Sequence, residues 1–375
     1  MLFVAGLSVF SCSSFNSYNY QLENGIKLVD TLATLETVNL YYNLKMLKNS
    51  ATIFGHHHTS SYGHSWENEG DKSDVKDVTG SFPGIYGWDF SDVVNPWPLK
   101  IRTYTRYIKE AYDRGGINVF CWHYDNPVTG GRYFDTTVAV KHILPGGDFN
   151  EKYSADLDAV AEFAKNLYGS DGKLIPIIFR PFHEFDGNWF WWGKPFCTKE
   201  EFIRLWRYTV NYLRDEKEVR NMIFAFSPDR NFNSEEEYFD RYPGDNYVDI
   251  LAVDDYGDFQ PYGDGPDAVK KKLEIISEFA EKKNKVAAFS ETGMESIPDS
   301  AWWTQTLLPI LNNDSVKVAY VMVWRNASDL PHHYYAPFPG EKSVPDFIKF
   351  KSDPKIIFQD NLPNPYIIRK EIVLP

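Results

Sequence analysis

Hydrophobic positions along the chain form eight short runs that are rich in β-branched and aromatic residues. The runs occupy residues 51–56, 84–90, 117–123, 174–184, 221–227, 249–256, 286–291 and 318–324. Segments with helical periodicity lie between them, at residues 99–114, 154–167, 199–219, 266–283 and 300–312. Strands that alternate with helices indicate parallel strands joined by right-handed crossovers. Eight such units in 375 residues predict an α/β fold, a single-domain (β/α)8 TIM barrel, rather than an open doubly wound sheet.

Further patterns along the chain complete the predicted fold. Residues 28–48 predict an amphipathic helix before the first strand, and residues 344–358 predict a last helix. We expect the Pro-rich tail after that helix to pack across the base or the side of the barrel. Thr198 followed by Glu201 forms a capping box, which predicts the start of a helix. No Gly-rich phosphate-binding motif follows the first strand, which argues against a dinucleotide-binding fold.

The carboxyl ends of most predicted strands carry polar or aromatic side chains. In barrels of this kind the active site lies among the loops that follow the strands. Long loops at residues 59–79 and 124–153 are expected to build walls above that mouth. The side chains at the strand ends are His56, His57, His58, Trp88, Asp89, Trp122, His123, His183, Glu184, Asp229, Asp254, Asp255, Tyr256, Glu291, Trp324 and Arg325.

Composition narrows the class of partner. The formal net charge of −13 repels phosphate backbones, so nucleic acid is not an expected partner. We expect an uncharged substrate instead. Most of the aromatic residues, 17% of the chain, are explained by core packing. Tryptophan is different, because several lie at or just after predicted strands and suggest a lined cleft: Trp66, Trp88, Trp122, Trp189, Trp191, Trp192 and Trp324.

The N-terminus resembles a bacterial lipoprotein signal. An apolar stretch, LFVAGLSVFSC, ends at Cys12 and is followed by polar residues. It departs from the usual pattern because no Lys or Arg precedes the apolar run. We therefore expect Cys12 to carry a lipid that anchors the protein outside the cytoplasm, facing the periplasm or alternatively at the cell surface. We also expect the protein to be a monomer. The expected division is residues 1–12 as signal, 13–50 as an extension with a helix, and 51–375 as the catalytic domain.

Two glutamates lie at predicted strand ends, Glu184 after the fourth strand and Glu291 after the seventh. Glycoside hydrolysis needs two carboxyl groups that flank the scissile bond, one to protonate the leaving oxygen and one to attack the sugar or activate water. The fourth and seventh strands lie nearly across the barrel, so both side chains can lean toward one point above its mouth. The segment that contains Glu184, LIPIIFRPFHEFDGNWFWWG, combines polar groups with flat apolar rings and therefore suits a sugar.

Several motifs together resemble glycoside hydrolase family 26, which is best known for β-mannanases. They are RPFHEFDGNWFWWG, FSETG, VWRN and the early GHHHTSSYG, where relatives often carry Gln or Asp in place of His57 and His58. The resemblance implies a (β/α)8 barrel that hydrolyses β-mannan with retention and without a cofactor or metal. It implies that Glu184 is the acid/base and Glu291 the nucleophile. It also implies substrate-binding roles for His123, His183, Trp189, Tyr256, Trp324 and Arg325.

Retention and the two roles impose physical requirements. Retaining enzymes hold their carboxyl groups about 5–5.5 Å apart, whereas about 8 Å indicates inversion. Glu184 must keep its proton near neutral pH, which an apolar surrounding such as Trp189 would favour. Glu291 must stay ionised, which a hydrogen bond from Tyr256 would favour.

Alternative interpretations remain at the level of sequence. Relatives also cut mixed-linkage β-glucan or β-1,3-xylan, and the cut is either internal or releases mannobiose, depending on whether the loop at residues 59–79 closes one end of the cleft. His56 and His58 at period two would suit a metal-dependent amidohydrolase, but the fifth and sixth strands do not end in further His ligands. Aromatic walls alone would also suit a non-catalytic sugar-binding protein, although binding alone needs no pair of acids.

Overall fold

The protein forms a closed barrel of eight parallel strands in a computed structural model, which describes residues 16–94 and 98–368. The eighth strand pairs with the first, from Ile53 opposite Tyr320 to His56 opposite Val323, and so closes the sheet. The (β/α)8 fold predicted from the sequence is confirmed. The barrel strands are β1 (Thr52–His57), β2 (Ile85–Asp89), β3 (Ile117–Cys121), β4 (Ile177–Arg180), β5 (Met222–Phe226), β6 (Ile250–Asp255), β7 (Val286–Thr292) and β8 (Val318–Val323).

Helices surround the barrel, and every residue of the eight strands is buried. This burial on both faces explains why the strands appear in the sequence as continuous apolar runs rather than alternating ones. The helices are α1 (Ser17–Glu23), α2 (Leu35–Leu47), α3 (Asp74–Thr79), α4 (Pro98–Asp113), α5 (Val140–Ile143), α6 (Asn150–Lys165), α7 (Lys199–Asn211), α8 (Glu235–Tyr238), α9 (Pro266–Lys282), α10 (Leu308–Leu311) and α11 (Val344–Lys351).

Three predicted helices have different bounds in the structure. The helix predicted at residues 28–48 begins only at Leu35, because Thr34 caps it by accepting a hydrogen bond from the Thr37 N–H. The helix predicted at residues 199–219 has its capping box but continues beyond Asn211 as a single π-helical turn. The helix predicted at residues 300–312 likewise contains a π-helical turn, Trp303–Leu307.

The last predicted helix, residues 344–358, is two elements. Helix α11 ends at Lys351, and a short strand β9 (Ile356–Ile357) pairs in parallel with the start of β1. The Phe54 ring of β1 holds this segment to the barrel, with its centroid 5.3 Å from that of Phe347 and 4.9 Å from that of Phe358. The described part of the Pro-rich tail packs at the same end, where the Tyr366 hydroxyl donates to the carbonyl of Gly116 at 2.6 Å, just before β3 begins, as expected.

Helix α2 covers the same end of the barrel. Tyr41 donates a hydrogen bond to the carbonyl of Asp249 at 3.1 Å, just before β6 begins. Asn39 donates to the carbonyl of Tyr366 at 2.8 Å, which ties α2 to the tail. The opposite end, where the strands finish, is left for loops.

The first long loop carries structure of its own. It contains a hairpin, Tyr62–Gly63 with Trp66–Glu67, followed by α3. The predicted lipidation site, Cys12, lies outside the described residues. In the parts of the chain that are described, no helix is both long and apolar enough to span a membrane.

Candidate active site

The backbone after β4 turns Glu184 over the mouth of the barrel. The predicted strand, residues 174–184, is wrong at both ends: the strand stops at Arg180, because Pro181 has no N–H to continue the ladder. Phe182 and Glu184 then adopt left-handed backbone conformations, with φ of 52° and 53°. The Glu184 N–H donates to the carbonyl of Ser227 at 2.9 Å. Non-glycine residues in this region are strained and are typical of functional sites.

A β-bulge places Glu291. Val253 of β6 pairs with Phe289 of β7, but the next residue, Asp254, pairs with Glu291, so Ser290 is an extra residue. The Ser290 hydroxyl donates to the Val253 carbonyl at 3.1 Å. Bulges change the direction of the following side chains and are common beside active sites.

The structure brings these two glutamates together. One carboxylate oxygen from each of Glu184, Asp254 and Glu291 lies within 4.8 Å of the other two. Two strands, β5 and β6, separate β4 from β7, so the two strands do not lie directly opposite each other in the barrel. Both acids nevertheless reach the same point.

Glu184 is held in its protonated form. Burial raises the pKa of its carboxyl well above the usual value, and the neighbouring carboxyl groups of Asp229, Asp254 and Glu291 raise it further. The Trp189 indole acts in the opposite sense through its N–H, which donates to Glu184 Oε2 at 2.6 Å and stabilises the charged form. We expected Trp189 to favour the protonated form of Glu184, but the hydrogen bond from its indole N–H favours the ionised form.

Glu291 is held in its ionised form. Burial alone would raise the pKa of its carboxyl, but the Arg180 guanidinium and the nearby His57 ring outweigh burial and keep the pKa well below its usual value. Arg180 contacts Glu291 Oε1 directly and is fully buried. His57 Nε2 lies 3.3 Å from the same oxygen, and Tyr256 donates to Oε2 at 2.9 Å.

Asp254 anchors the other half of the Arg180 guanidinium. Its two carboxylate oxygens lie 3.0 and 2.8 Å from Nη1 of Arg180. Burial, with the nearby charge of Glu291, raises the Asp254 pKa to about 7, although the Arg180 charge opposes the rise. Arg180 thus lies between two carboxylates and fixes one of them, Glu291, by charge and by geometry.

A chain of histidines lines the site next to Glu184. His123 donates through Nδ1 to Asp89 Oδ2 at 2.7 Å, and its Nε2 lies 3.3 Å from Nε2 of His183. Burial, together with the charges of His123 and Arg180, lowers the pKa of His183 well below its usual value. His183 is therefore a neutral hydrogen-bonding group beside the acid.

Trp324 and Arg325 directly follow β8, and Trp324 packs against two histidines of the site. The Trp324 ring centroid is 4.4 Å from that of His57 and 5.5 Å from that of His123. The Arg325 guanidinium lies 5.7 Å from the ring of Tyr62 in the hairpin. A cavity of about 520 Å³, named here the cleft, is lined by these residues and by the loops after β1, β2, β3 and β8.

Most of the tryptophans at strand ends do not line this cleft. Trp88, Trp122, Trp191 and Trp192 are at most 2% exposed and belong to the core. The expectation of a tryptophan-lined cleft is therefore wrong for these four. Trp88 and Trp122 pack in the core at the ends of β2 and β3. Trp191 and Trp192, in the loop after β4, pack against Phe182 and donate their indole N–H groups to the carbonyls of Tyr124 and His183.

The structure places His56 and His58 apart. The Nδ1 of His56 pairs with the Thr59 hydroxyl at 3.0 Å, whereas the ring of His58 stacks on Tyr62. Three groups of metal-ligand type occur among the described residues, and neither His56 nor His58 is in them. One of these groups contains the two acids and consists of Glu184, Asp254 and Glu291. The Arg180 cation already contacts two of its members, Asp254 and Glu291.

The chain is similar to known glycoside hydrolases. A family model described as glycosyl hydrolase family 26 matches residues 29–330. The chain belongs to glycosyl hydrolase family 26. Its membership confirms the resemblance found in the motifs and makes the protein a glycoside hydrolase by family.

Two solved family 26 structures are similar to this chain along almost all of it. The GH26C structure from a Muricauda species is 39% identical, with a TM-score of 0.86, and covers 98% of this chain and 100% of its own. The GH26 β-mannanase from Bacteroides ovatus is 40% identical, with a TM-score of 0.85, and covers 90% of this chain and 99% of its own.

Curated relatives are longer. The mannan endo-1,4-beta-mannosidase of Bifidobacterium adolescentis is 30% identical over 94% of this chain, but the chain spans only 37% of that protein's length. The chain spans 51% of the length of a second relative, mannan endo-1,4-beta-mannosidase A and B of Caldalkalibacillus mannanilyticus.

Sequence reasoning did not assign three residues of this family 26 site. Arg180, Asp254 and His57 surround Glu291. In the sequence, Asp254 and His57 appear only among the polar side chains at strand ends or in the early motif, and Arg180 only within the RPFHEFDGNWFWWG motif. The signal for Arg180 was a charged residue inside an apolar run, since a fully buried Arg needs a partner acid. Which acid it would meet was not readable, because β4, β6 and β7 are far apart in sequence.

Proposed function

We propose that the protein is a retaining endo-acting β-1,4-mannanase that hydrolyses mannan, galactomannan or glucomannan to manno-oligosaccharides. The observation that carries the proposal is the convergence of Glu184 and Glu291, with carboxylate oxygens within 4.8 Å and with pKa shifts in opposite directions. Family membership and the printed activities of the relatives support the choice of substrate.

The two acids suit a double displacement. Glu184, protonated, donates its proton to the leaving glycosidic oxygen while Glu291, ionised, attacks the anomeric carbon. The covalent ester removes the negative charge of Glu291, which lowers the pKa of Glu184 and lets it act as a base toward water. Water then breaks the ester, and Glu291 regains its charge beside Arg180. The separation of the carboxylates supports retention over inversion, which needs room for a water between acid and sugar.

The side chains around the two acids are proposed to bind the sugar. Trp189, partly exposed, offers a ring face beside the acid, and Tyr256 holds the nucleophile. His183 offers a neutral edge to hydroxyl groups, with His123 beside it, and Trp324 with Arg325 lines the cleft on the non-reducing side. An aromatic face with nearby hydrogen-bonding groups matches a pyranose, which has apolar faces and a polar rim.

A product time course tests the proposal. Proton NMR of a mannan digest should show the β-anomer of the new reducing end first, with mutarotation to the α-anomer later. Glu291→Ala should reduce release of reducing ends to background, with an unchanged fold by circular dichroism. Initial formation of the α-anomer would contradict retention. Parallel assays on mixed-linkage β-glucan and β-1,3-xylan test the alternative substrates, and a faster rate on either would overturn the choice of mannan.

Release of mannobiose is proposed on the basis of the first long loop. Three contacts join this loop to the one after β8: Glu67 accepts from the Ser328 hydroxyl at 2.5 Å, Asp74 accepts from Asn326 at 2.7 Å, and His64 stacks on Phe338 with centroids 3.6 Å apart. A wall tied in this way would limit the number of sugars held on the non-reducing side. Shortening the hairpin should change the products from mostly disaccharide to mixed lengths, and an unchanged product pattern would contradict this role.

We also propose a lipid anchor at Cys12 and a periplasmic location, on the sequence pattern alone. The test is expression of the full chain in a Gram-negative host, followed by detergent phase partition and mass spectrometry of the N-terminal peptide. A Cys12→Ser variant should move from the detergent phase to the aqueous phase. An unmodified Cys12 in the wild-type protein would contradict the proposal.

A further inference from the structure

A second cavity adjoins the cleft. It has a volume of about 600 Å³ and lies between the hairpin and helix α4. We name it the side pocket. Five residues line both cavities, so the two are continuous: His58, Tyr62, Glu67, Asp92 and Lys100.

The side pocket leads away from the mouth of the barrel. Its lining follows one face of α4, from Lys100 through Thr103 and Tyr104 to Tyr107. Tyr107 lies seven residues after Lys100, which is about 10 Å farther along the helix axis. Tyr104 and Tyr107 are 4% and 1% exposed and close the pocket at this depth. The side pocket can therefore take a group that branches from the cleft or ends there.

His58 lies at the junction of the two cavities with an unsatisfied side chain. Its backbone is fixed, with φ of 53°, an N–H that donates to the Gly87 carbonyl at 2.9 Å, and a carbonyl that accepts from the Ser61 N–H at 3.0 Å. The residue is 4% exposed, and its imidazole makes no hydrogen bond to another residue in the described parts of the chain. Nδ1 is fully buried, so Nε2 is the ring nitrogen that a ligand at the junction can reach, and it can hydrogen-bond a ligand hydroxyl.

The remaining lining matches an uncharged polyhydroxyl group. Lys100 Nζ and Asp92 Oδ1 form an ion pair at 2.5 Å, so these two residues present a donor and an acceptor side by side with their charges compensated. Glu67, whose carboxylate accepts from the Ser328 hydroxyl, adds a further acceptor to the lining. The Tyr62 ring lies stacked on His58, with centroids 4.8 Å apart and planes inclined by 20°. Tyr62 and Tyr104 supply apolar ring surface, which suits the C–H face of a sugar.

We propose that the side pocket binds one neutral hexosyl unit that is lateral to the sugars held in the cleft, such as the galactosyl branch of a galactomannan. The proposal rests on the proposed mannanase function. It makes the protein selective for branched substrate, because binding energy gained in the side pocket is available only when a lateral sugar is present.

Filling the pocket tests the proposal. Thr103→Trp places a large side chain into the side pocket from α4, and Thr103→Leu fills it partly. Arg102→Trp is the matched control, because Arg102 is exposed on the same turn and does not line the pocket. The kcat/KM of each variant is measured on galactosyl-branched manno-oligosaccharides and on unbranched ones of the same backbone length, with melting temperature as a check on folding.

We expect Thr103→Trp to lower kcat/KM on the branched substrate about tenfold, the loss of one or two hydrogen bonds, with a smaller effect of Thr103→Leu and none of Arg102→Trp. A loss only on branched substrate identifies the lateral unit as a branch. An equal loss on long unbranched oligomers would place a backbone sugar in the pocket and overturn the proposal of a lateral unit. Equal activity of Thr103→Trp and Arg102→Trp on both substrates overturns the proposal, whereas wild-type protein without activity on either substrate overturns the proposed function instead.

Discussion

At the scale of single residues, two identical side chains have opposite charge states because their neighbours differ. Glu184 faces other carboxylates, Asp229, Asp254 and Glu291, and accepts one indole N–H. Glu291 contacts the buried cation Arg180. The assignment of acid and nucleophile therefore depends on where one guanidinium lies, and Arg180 is the residue through which it can be tested.

Arg180→Lys is expected to keep a positive charge but to lose the fork that contacts Asp254 and Glu291 together. A poorly positioned nucleophile should lower kcat by about a hundredfold. Because the cation holds the pKa of Glu291 down, its weakening should raise that pKa and move the acid limb of the kcat/KM profile to higher pH. The measurement is the pH dependence of kcat/KM on mannan oligosaccharides.

Ser227→Ala provides the control for this change. It removes a neutral contact of the same guanidinium, whose Nη1 lies 3.1 Å from the Ser227 hydroxyl, and leaves both carboxylate contacts in place. Its acid limb should stay where it is in the wild type. An acid limb that also stays in place for Arg180→Lys would show that Arg180 does not set the charge of Glu291.

At the scale of elements, the contact between β1 and β2 sets the position of His57. Gly87 of β2 lies directly beside the His57 ring, and a Cβ atom at position 87 would lie 2.5 Å from its Nδ1 and 2.6 Å from its Cγ. On its other side the ring contacts Trp324. The glycine is thus required by close packing and keeps His57 near Glu291.

Gly87→Ala is therefore expected to displace His57 and to reduce kcat, with a loss of about 1–3 kcal/mol in the free energy of unfolding from overpacking. Denaturant unfolding and steady-state kinetics check the two effects. Gly70→Ala, in the first long loop, is the comparison, since a Cβ there would meet no atom within 4 Å. Wild-type kinetics for Gly87→Ala would show that His57 tolerates the shift.

At the scale of the whole molecule, the barrel encloses more carboxyl groups than cations at its mouth. Burial raises the pKa of Asp229 to about 8 and those of Asp254 and Asp255 to about 7. At the base, burial raises the pKa of Asp249 to about 6. These acids keep protons in the folded state that the unfolded chain has released, since an ordinary Asp titrates near pH 4.

Stability should consequently fall as pH rises from about 6.5 to 8, because the folded state binds more protons than the unfolded state across this window. Below about pH 6.5 the buried histidines His56, His57, His58 and His183, whose pKa values burial lowers, bind fewer protons in the folded state and oppose these acids. At lower pH the direction reverses, because the lowered pKa values of Asp89 and Glu291 give stability that is lost as those groups take up protons. The melting temperature should thus be highest in mildly acidic solution. Scanning calorimetry between pH 3 and pH 9 measures this.

Asp229→Asn should flatten part of the decline above about pH 6.5, because it removes one carboxyl with a raised pKa while keeping an acceptor for Asn231. A melting temperature that rises steadily from pH 6.5 to pH 8 in the wild type would contradict the raised pKa values described for the mouth.

The sequence by itself determined the barrel and the two glutamates. Eight apolar runs alternating with helices leave few other folds, and acids at the ends of strands four and seven follow from the order of residues along the chain. Local signals such as the capping box at Thr198 were equally readable, because the partners lie three residues apart.

Only the tertiary structure decided what surrounds those acids. The Arg180 contacts with Asp254 and Glu291 join residues 74 and 111 positions apart in the chain, and closure of the barrel brings them together. The bulge at Ser290 and the burial of Trp191 and Trp192 likewise depend on packing between elements. Charge state and exposure are set by neighbours in space, which the order of residues does not specify.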